Sequence, residues 1–208
     1  MSRTVTRATL STGFWQGLRE IDMFFQGRDP VHQTMRRLVK RMEKAGIPYA
    51  VVGGMAVFAH RYRRTTDDVD VLLTPQGLQQ FRELFVPKHY EPWPKRSRRF
   101  TDRKSKVTVD FLVTGLFPGS GKPGPVVYPD PQAVQHEIED TQVVNLVTFV
   151  ELKLAARRHQ DFADVVNLIR FNNLDESFCD SLHSSVRRDY IECLEEKRRE
   201  QEYEERNG

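Results

Sequence analysis

Two runs of alternating apolar residues carry aspartates on their polar side, and nothing else in the chain restricts its fold as tightly. The first is RRTTDDVDVLL, with Asp68 and Asp70. The second is VTVDFLV, with Asp110. A period of two predicts strands. Side chains two apart on a strand share a face, so Asp68 and Asp70 stand together, opposite Val69 and Val71. In the second run Val107, Val109, Phe111 and Val113 point one way and Asp110 the other. Side by side, the two strands gather three carboxylates at one end of a sheet. Such a cluster repels itself unless a cation sits in it, and hard oxygen ligands of this kind suit Mg²⁺. Asp67 falls on the opposite face by parity and reads as a solvent-facing neighbour.

A second constraint lies just upstream, in YAVVGGMAVFAHRYRRTT. A short apolar strand runs into Gly53-Gly54 and then into a helical stretch from Met55. Glycines at a strand-to-helix junction let backbone N–H groups approach a phosphate at the positive end of a helix. The same pair also serves a plain tight turn. If the aspartate strand extends backwards, Arg64 and Thr66 share its face with Asp68 and Asp70, and Arg64 can meet a triphosphate in bidentate fashion.

The other segments predict an α+β fold: a small mixed sheet flanked by helices, with a helical C-terminal part. Residues 1–28 read as a docking helix or arm, with Phe14, Trp15, Leu18, Ile21 and Phe24 or Phe25 at helical spacing. Residues 29–147 form the core unit and 148–208 the C-terminal helices and charged tail. Asp29-Pro30 starts a helix that Gly46 closes, and Thr74-Pro75 starts another. Strands are expected at 98–102 and 107–113, joined by a hairpin, and at 143–147. Residues 117–131 are rich in Gly and Pro and read as a loop. Thr148 with Glu151 matches a capping box. A break near His159 separates two helices.

Bulk properties exclude several classes. At 208 residues the chain builds one ordinary core. No apolar stretch is long enough to span a bilayer, and the N-terminus lacks the apolar core of a secretory signal. Cys179 and Cys193 lie far apart and near no histidine cluster, as expected of free thiols in a cytoplasmic protein. Net charge is only +3, but residues 94–106 are densely basic. They read either as a solvated hairpin or as a grip on triphosphate or an RNA backbone. GSGK at 119–122 fails as a P-loop, because position 116 is Leu116 and position 123 is Pro123. The six histidines show no paired spacing and support no hydrolase triad.

The set Gly53-Gly54, Asp68-Val69-Asp70 and Asp110 resembles the nucleotidyltransferase superfamily of the DNA-polymerase-beta type. The run Arg64, Thr66, Asp68, Asp70 is similar to stand-alone bacterial abortive-infection and toxin nucleotidyltransferases. The segment ELKLAARRHQDFADVVNLI resembles their C-terminal helices through Lys153, Asp161 and Asp164. The resemblance covers roughly 47–170. Gly54 replaces a serine found in many members. The resemblance implies a magnesium-dependent enzyme that moves an NMP from a nucleoside triphosphate to an acceptor hydroxyl. Asp68, Asp70 and Asp110 would be catalytic and metal-binding, and Gly53, Gly54, Arg64, Thr66 and Lys153 would contact the nucleotide. The acceptor stays open between RNA, such as a tRNA end, a protein and a small molecule. A toxin role, a cognate antitoxin partner, and a catalytically inactive binding or regulatory module of a toxin–antitoxin pair stay open as well. A metal-dependent phosphohydrolase is a further alternative, disfavoured by the lack of His–Asp pairs.

Overall fold

The computed structural model describes residues 7–208, with side chains from Gln16 onward. Seven strands, β1 (Ala50–Val52), β2 (Asp68–Leu73), β3 (Tyr90–Trp93), β4 (Arg96–Asp102), β5 (Thr108–Val113), β6 (Gln135–Ile138) and β7 (Thr141–Val144), make one mixed sheet. Their order across it is β3-β4-β5-β2-β1-β7-β6. The central pair β2 and β5 is parallel and sets Asp70 opposite Asp110. β1 runs antiparallel to β2 and parallel to β7, and β4 runs antiparallel to β5. Parallel neighbours need a crossover. The one from β2 to β5 is long enough to hold a helix, Pro75–Phe85, and the β3–β4 hairpin.

Eight α-helices accompany the sheet among the described residues: α1 (Arg7–Phe25), α2 (Pro30–Lys44), α3 (Gly53–Ala59), α4 (Pro75–Phe85), α5 (Pro131–Val134), α6 (Leu146–Ala156), α7 (His159–Phe171) and α8 (Arg187–Asn207). None of them is long and apolar enough to cross a membrane. The fold is α+β with a helical C-terminal part. Helix starts follow their capping residues. Asp29 Oδ1 accepts from the Val31 and His32 amides at 2.7 and 3.2 Å, and Thr74 Oγ1 accepts from the Gly77 amide at 2.9 Å.

The core is built where the odd-numbered face of β2 and β5 meets helix side chains. Phe81 of α4 is fully buried, with ring centres of Phe111, Tyr90 and Phe100 at 4.5, 4.9 and 5.3 Å. Burying one such ring stabilises by about 1.5–3 kcal/mol. With Val69, Val71, Val109 and Phe111 held in this layer, strand parity leaves Asp68, Asp70 and Asp110 on the other face.

Three local expectations are corrected. The apolar stripe of α1 does not dock at Leu18 and Ile21, which are 42% and 45% exposed, and among the described side chains of the helix it is the last turn that reaches the core. There Phe24 packs edge-on against His32 and Phe58. The side chains of Phe14 and Trp15 lie outside those described. The expected strand at 143–147 ends at Val144, because Asn145 caps α6 and its Oδ1 accepts from the Thr148 amide at 2.9 Å. The expected Thr148–Glu151 capping box therefore does not form, and Glu151 accepts instead from the His183 amide at 2.5 Å. Two 3-10 turns, Glu176–Ser181 and Ser184–Val186, lead from α7 into α8.

Candidate active site

β2 and β5 deliver three carboxylates to one spot. One oxygen each from Asp68, Asp70 and Asp110 lies within 4.8 Å of the others. Each of these residues is half-buried. Burial first, and then repulsion from Asp68 and Asp110, push the Asp70 carboxyl up to about 7, against a partial pull from Lys153 and Arg158. Among the described residues no hydrogen bond reaches the Asp70 side chain, while Asp68 Oδ1 accepts from the Thr66 hydroxyl at 2.8 Å. Crowded carboxylate oxygens at this spacing fit a divalent cation, and an all-oxygen donor set fits Mg²⁺.

The two glycines are explained by contact. Gly53 sits at φ +62°, and a Cβ there would fall 1.9 Å from Asp70 Oδ2. A Cβ on Gly54 would fall 2.5 Å from Thr66 Cβ and Oγ1. The chain turns from β1 into α3 against the very side chains that build the cluster, and only hydrogen fits between them. Both glycines are therefore needed to set Asp70 and Thr66 in place.

Lys153 is buried at 6% exposure between two acids of α7. Its Nζ donates to Asp161 Oδ1 at 2.9 Å and to Asp164 Oδ2 at 2.6 Å. Asp164 is fully buried and also receives Arg64, through Nε at 2.8 Å and Nη2 at 3.0 Å. Burial alone would raise the Asp164 carboxyl, but Lys153 and then Arg64 hold it below the usual range. Arg158 donates from Nε to Asp161 Oδ2 at 2.6 Å. Arg64, Lys153 and Arg158 thus face Asp161 and Asp164, three cations to two anions, and Lys153 and Arg158 also act on Asp70.

A cleft of about 660 Å³ spans these parts. Its floor is Asp68, Asp70 and Asp110 beside Gly53. One wall is Phe149, Lys153 and Arg158, and the other is the β3–β4 hairpin from Lys95 to Arg99. Arg99 forms a salt bridge with Asp110 at 2.5 Å and lies 5.3 Å from the centre of the Trp93 ring.

Six of the eight residues expected from the sequence, namely Asp68, Asp70, Asp110, Gly53, Gly54 and Thr66, meet in this one cluster. Lys153 borders the cleft. Arg64 is turned to Asp164, so its guanidinium braces α7. Asp67 is exposed and outside the cluster, as its parity requires. Sequence reasoning missed Arg158, Arg99 and Tyr128, all of which line the cleft. Arg99 was legible in principle, because a strand register that pairs it with Asp110 follows from a tight 103–106 hairpin. Tyr128 sits in a long loop and left no signal. Its hydroxyl is pushed up to about 12, chiefly by burial.

No protein-family model matches the chain, and no curated relative matches it. Solved structures of similar chain trace include ANT(2″)-Ia in complex with adenylyl-2″-tobramycin. It is 12% identical over 79% of this chain and 97% of that one, with a TM-score of 0.47. An antigenic nucleotidyltransferase-like protein from Paracoccidioides brasiliensis is 16% identical over 78% of this chain and 86% of that one, with a TM-score of 0.46. At these scores the likeness is one of general chain trace.

Proposed function

We propose that this chain is a magnesium-dependent nucleotidyltransferase. The observation that carries the reading is the trio Asp68, Asp70 and Asp110, gathered within 4.8 Å on the floor of a cleft with cationic walls. Divalent cations bound there would neutralise charge on the triphosphate and stabilise the attacking and leaving oxygens. Asp68 and Asp70 would hold the nucleotide's ion, and Gly53 keeps the backbone close enough for its neighbours to reach phosphate oxygens. Lys153 spends two of its three N–H donors on Asp161 and Asp164 and keeps a third for phosphate. Arg158 adds positive charge at the cleft mouth. Asp110 would take the proton of an acceptor hydroxyl. The hydroxyl oxygen then forms a bond to the α-phosphorus, the bond from that phosphorus to the bridging oxygen breaks, and pyrophosphate leaves with the electron pair.

The acceptor we favour is RNA, because Lys95, Arg96 and Arg98 are exposed on the hairpin wall and such charge neutralises a phosphate backbone without reading its sequence. The test is to incubate the protein with Mg²⁺ and each α-labelled nucleoside triphosphate, with total RNA or total protein as acceptor. The reading expects pyrophosphate release with label retained on RNA, lost in Asp68→Asn and Asp70→Asn. Label on protein would replace the acceptor and keep the reaction. Transfer surviving in both variants would overturn the assignment of the ligands.

A further inference from the structure

Asp110 differs from its two neighbours. Arg99, directly across the β4–β5 ladder, takes both of its oxygens: Nε lies 2.7 Å from Oδ1 and 3.0 Å from Oδ2, and Nη2 lies 2.5 Å from Oδ2. Among the described residues Asp68 accepts only from the Thr66 hydroxyl and Asp70 accepts from nothing. The Arg99 guanidinium also rests on the Trp93 ring. That indole is held on one edge, where Nε1 donates to Thr101 Oγ1 at 2.8 Å. A guanidinium stacked on a fixed aromatic plane keeps a favourable seat when its carboxylate is taken away. The ring and the carboxylate hold the guanidinium at the same time, so an ion that recruits Asp110 competes with Arg99 for the carboxylate but not for its seat on Trp93.

We infer that Arg99 is a positioning residue that reserves Asp110, so that divalent ions enter the site in a fixed order. The inference rests on the metal-dependent reading above. Asp68 and Asp70 take the first ion, since among the described residues no basic side chain pairs with their oxygens. Asp110 contributes to a second ion only once Arg99 has let go. A bidentate arginine–carboxylate pair is among the stronger charge-assisted contacts, so displacing it weakens the second ion by about tenfold or more. An anionic acceptor on the basic hairpin offers Arg99 a replacement partner and would release Asp110. A nucleotide bound alone then meets an incomplete site, which protects its α-phosphate from water.

The experiment counts Mn²⁺ bound to the full chain by the electron paramagnetic resonance signal of the free ion. It is run at pH 8 with an α,β-methylene nucleoside triphosphate. Wild type, Arg99→Gln, Arg99→Lys and Asp110→Asn are compared, with Asp70→Asn as control and circular dichroism to confirm folding. Wild type should bind one ion well and a second about tenfold or more weakly. Both Arg99 variants should tighten the second ion toward the first, because lysine cannot reproduce the fork, and Asp110→Asn should abolish it. If Arg99→Gln fails to fold, Arg99→Lys decides. A second ion that is unchanged or weaker in Arg99→Gln overturns the inference. So does tightening in Arg99→Gln with Arg99→Lys at the wild-type value, which would mean that charge alone acts. A first ion bound equally by Asp70→Asn, or by no variant including wild type, overturns the metal reading beneath it.

Discussion

Replacing Asp70 by asparagine should make the metal-free protein more stable while destroying its activity. Asp70 shares a space of 4.8 Å with two other carboxylates. Burial and those neighbours raise its carboxyl from 3.8 to about 7. An acid whose pKa is higher folded than unfolded favours the folded state only while protonated, so stability is lost as pH rises from about 4 to about 7. The full shift corresponds to about 4 kcal/mol. The carboxylate is only half-buried, and solvent screening reduces the cost to about 1–2 kcal/mol. Asparagine keeps the shape and removes the charge. In EDTA at pH 8, Asp70→Asn should therefore melt about 3–6 °C above wild type, and the gap should close toward pH 4. Mg²⁺ should raise the wild-type melting temperature by mass action and leave the variant unmoved. Thermal melts by circular dichroism at both pH values, with and without metal, make the comparison. A variant no more stable than wild type in EDTA at pH 8, or a gap independent of pH, would refute the reasoning.

Other outcomes follow from the same geometry. Gly53→Ala places a methyl 1.9 Å from Asp70 Oδ2 at φ +62°; backbone strain alone costs about 1–2 kcal/mol, and calorimetry should show Mn²⁺ affinity lost along with it. Lys153→Met leaves Asp161 and Asp164 buried without their shared cation, which should cost about 3–5 kcal/mol in urea melts. Unchanged stability would mean that the lysine is not the network's centre. Arg158→Ala removes a side chain that is 70% exposed, so stability should move by less than about 1 kcal/mol, while nucleotide affinity, followed by fluorescence of a labelled triphosphate, should fall several-fold.

Much of this site could be read from spacing because strands obey a period of two. The aspartate faces, the Asp29 and Thr74 caps and the 103–106 hairpin all follow from residues adjacent in sequence. Contacts between distant segments were not legible in the same way. Nothing local says that Arg64 would turn to Asp164, one hundred positions away, instead of toward the aspartates on its own strand. A positive side chain near an acidic pair looks like a phosphate ligand until a deeper, fully buried acid competes for it. Strand β3 escaped notice because Pro92 interrupts its alternation. It holds as an edge strand, where proline is tolerated. The α6 start was misplaced because Thr148 and Glu151 fit a capping box, yet Asn145 stands three residues earlier where β7 ends. Helix α1 misled for the opposite reason: an amphipathic stripe states that a face is apolar, not that something covers it.

The most direct test titrates nucleoside triphosphates into the pure protein by calorimetry, with Mg²⁺ or with EDTA, beside Asp70→Asn. The account predicts nucleotide binding that requires the metal and disappears in the variant. Binding that persists in EDTA, or that Asp70→Asn retains with Mg²⁺, would contradict it.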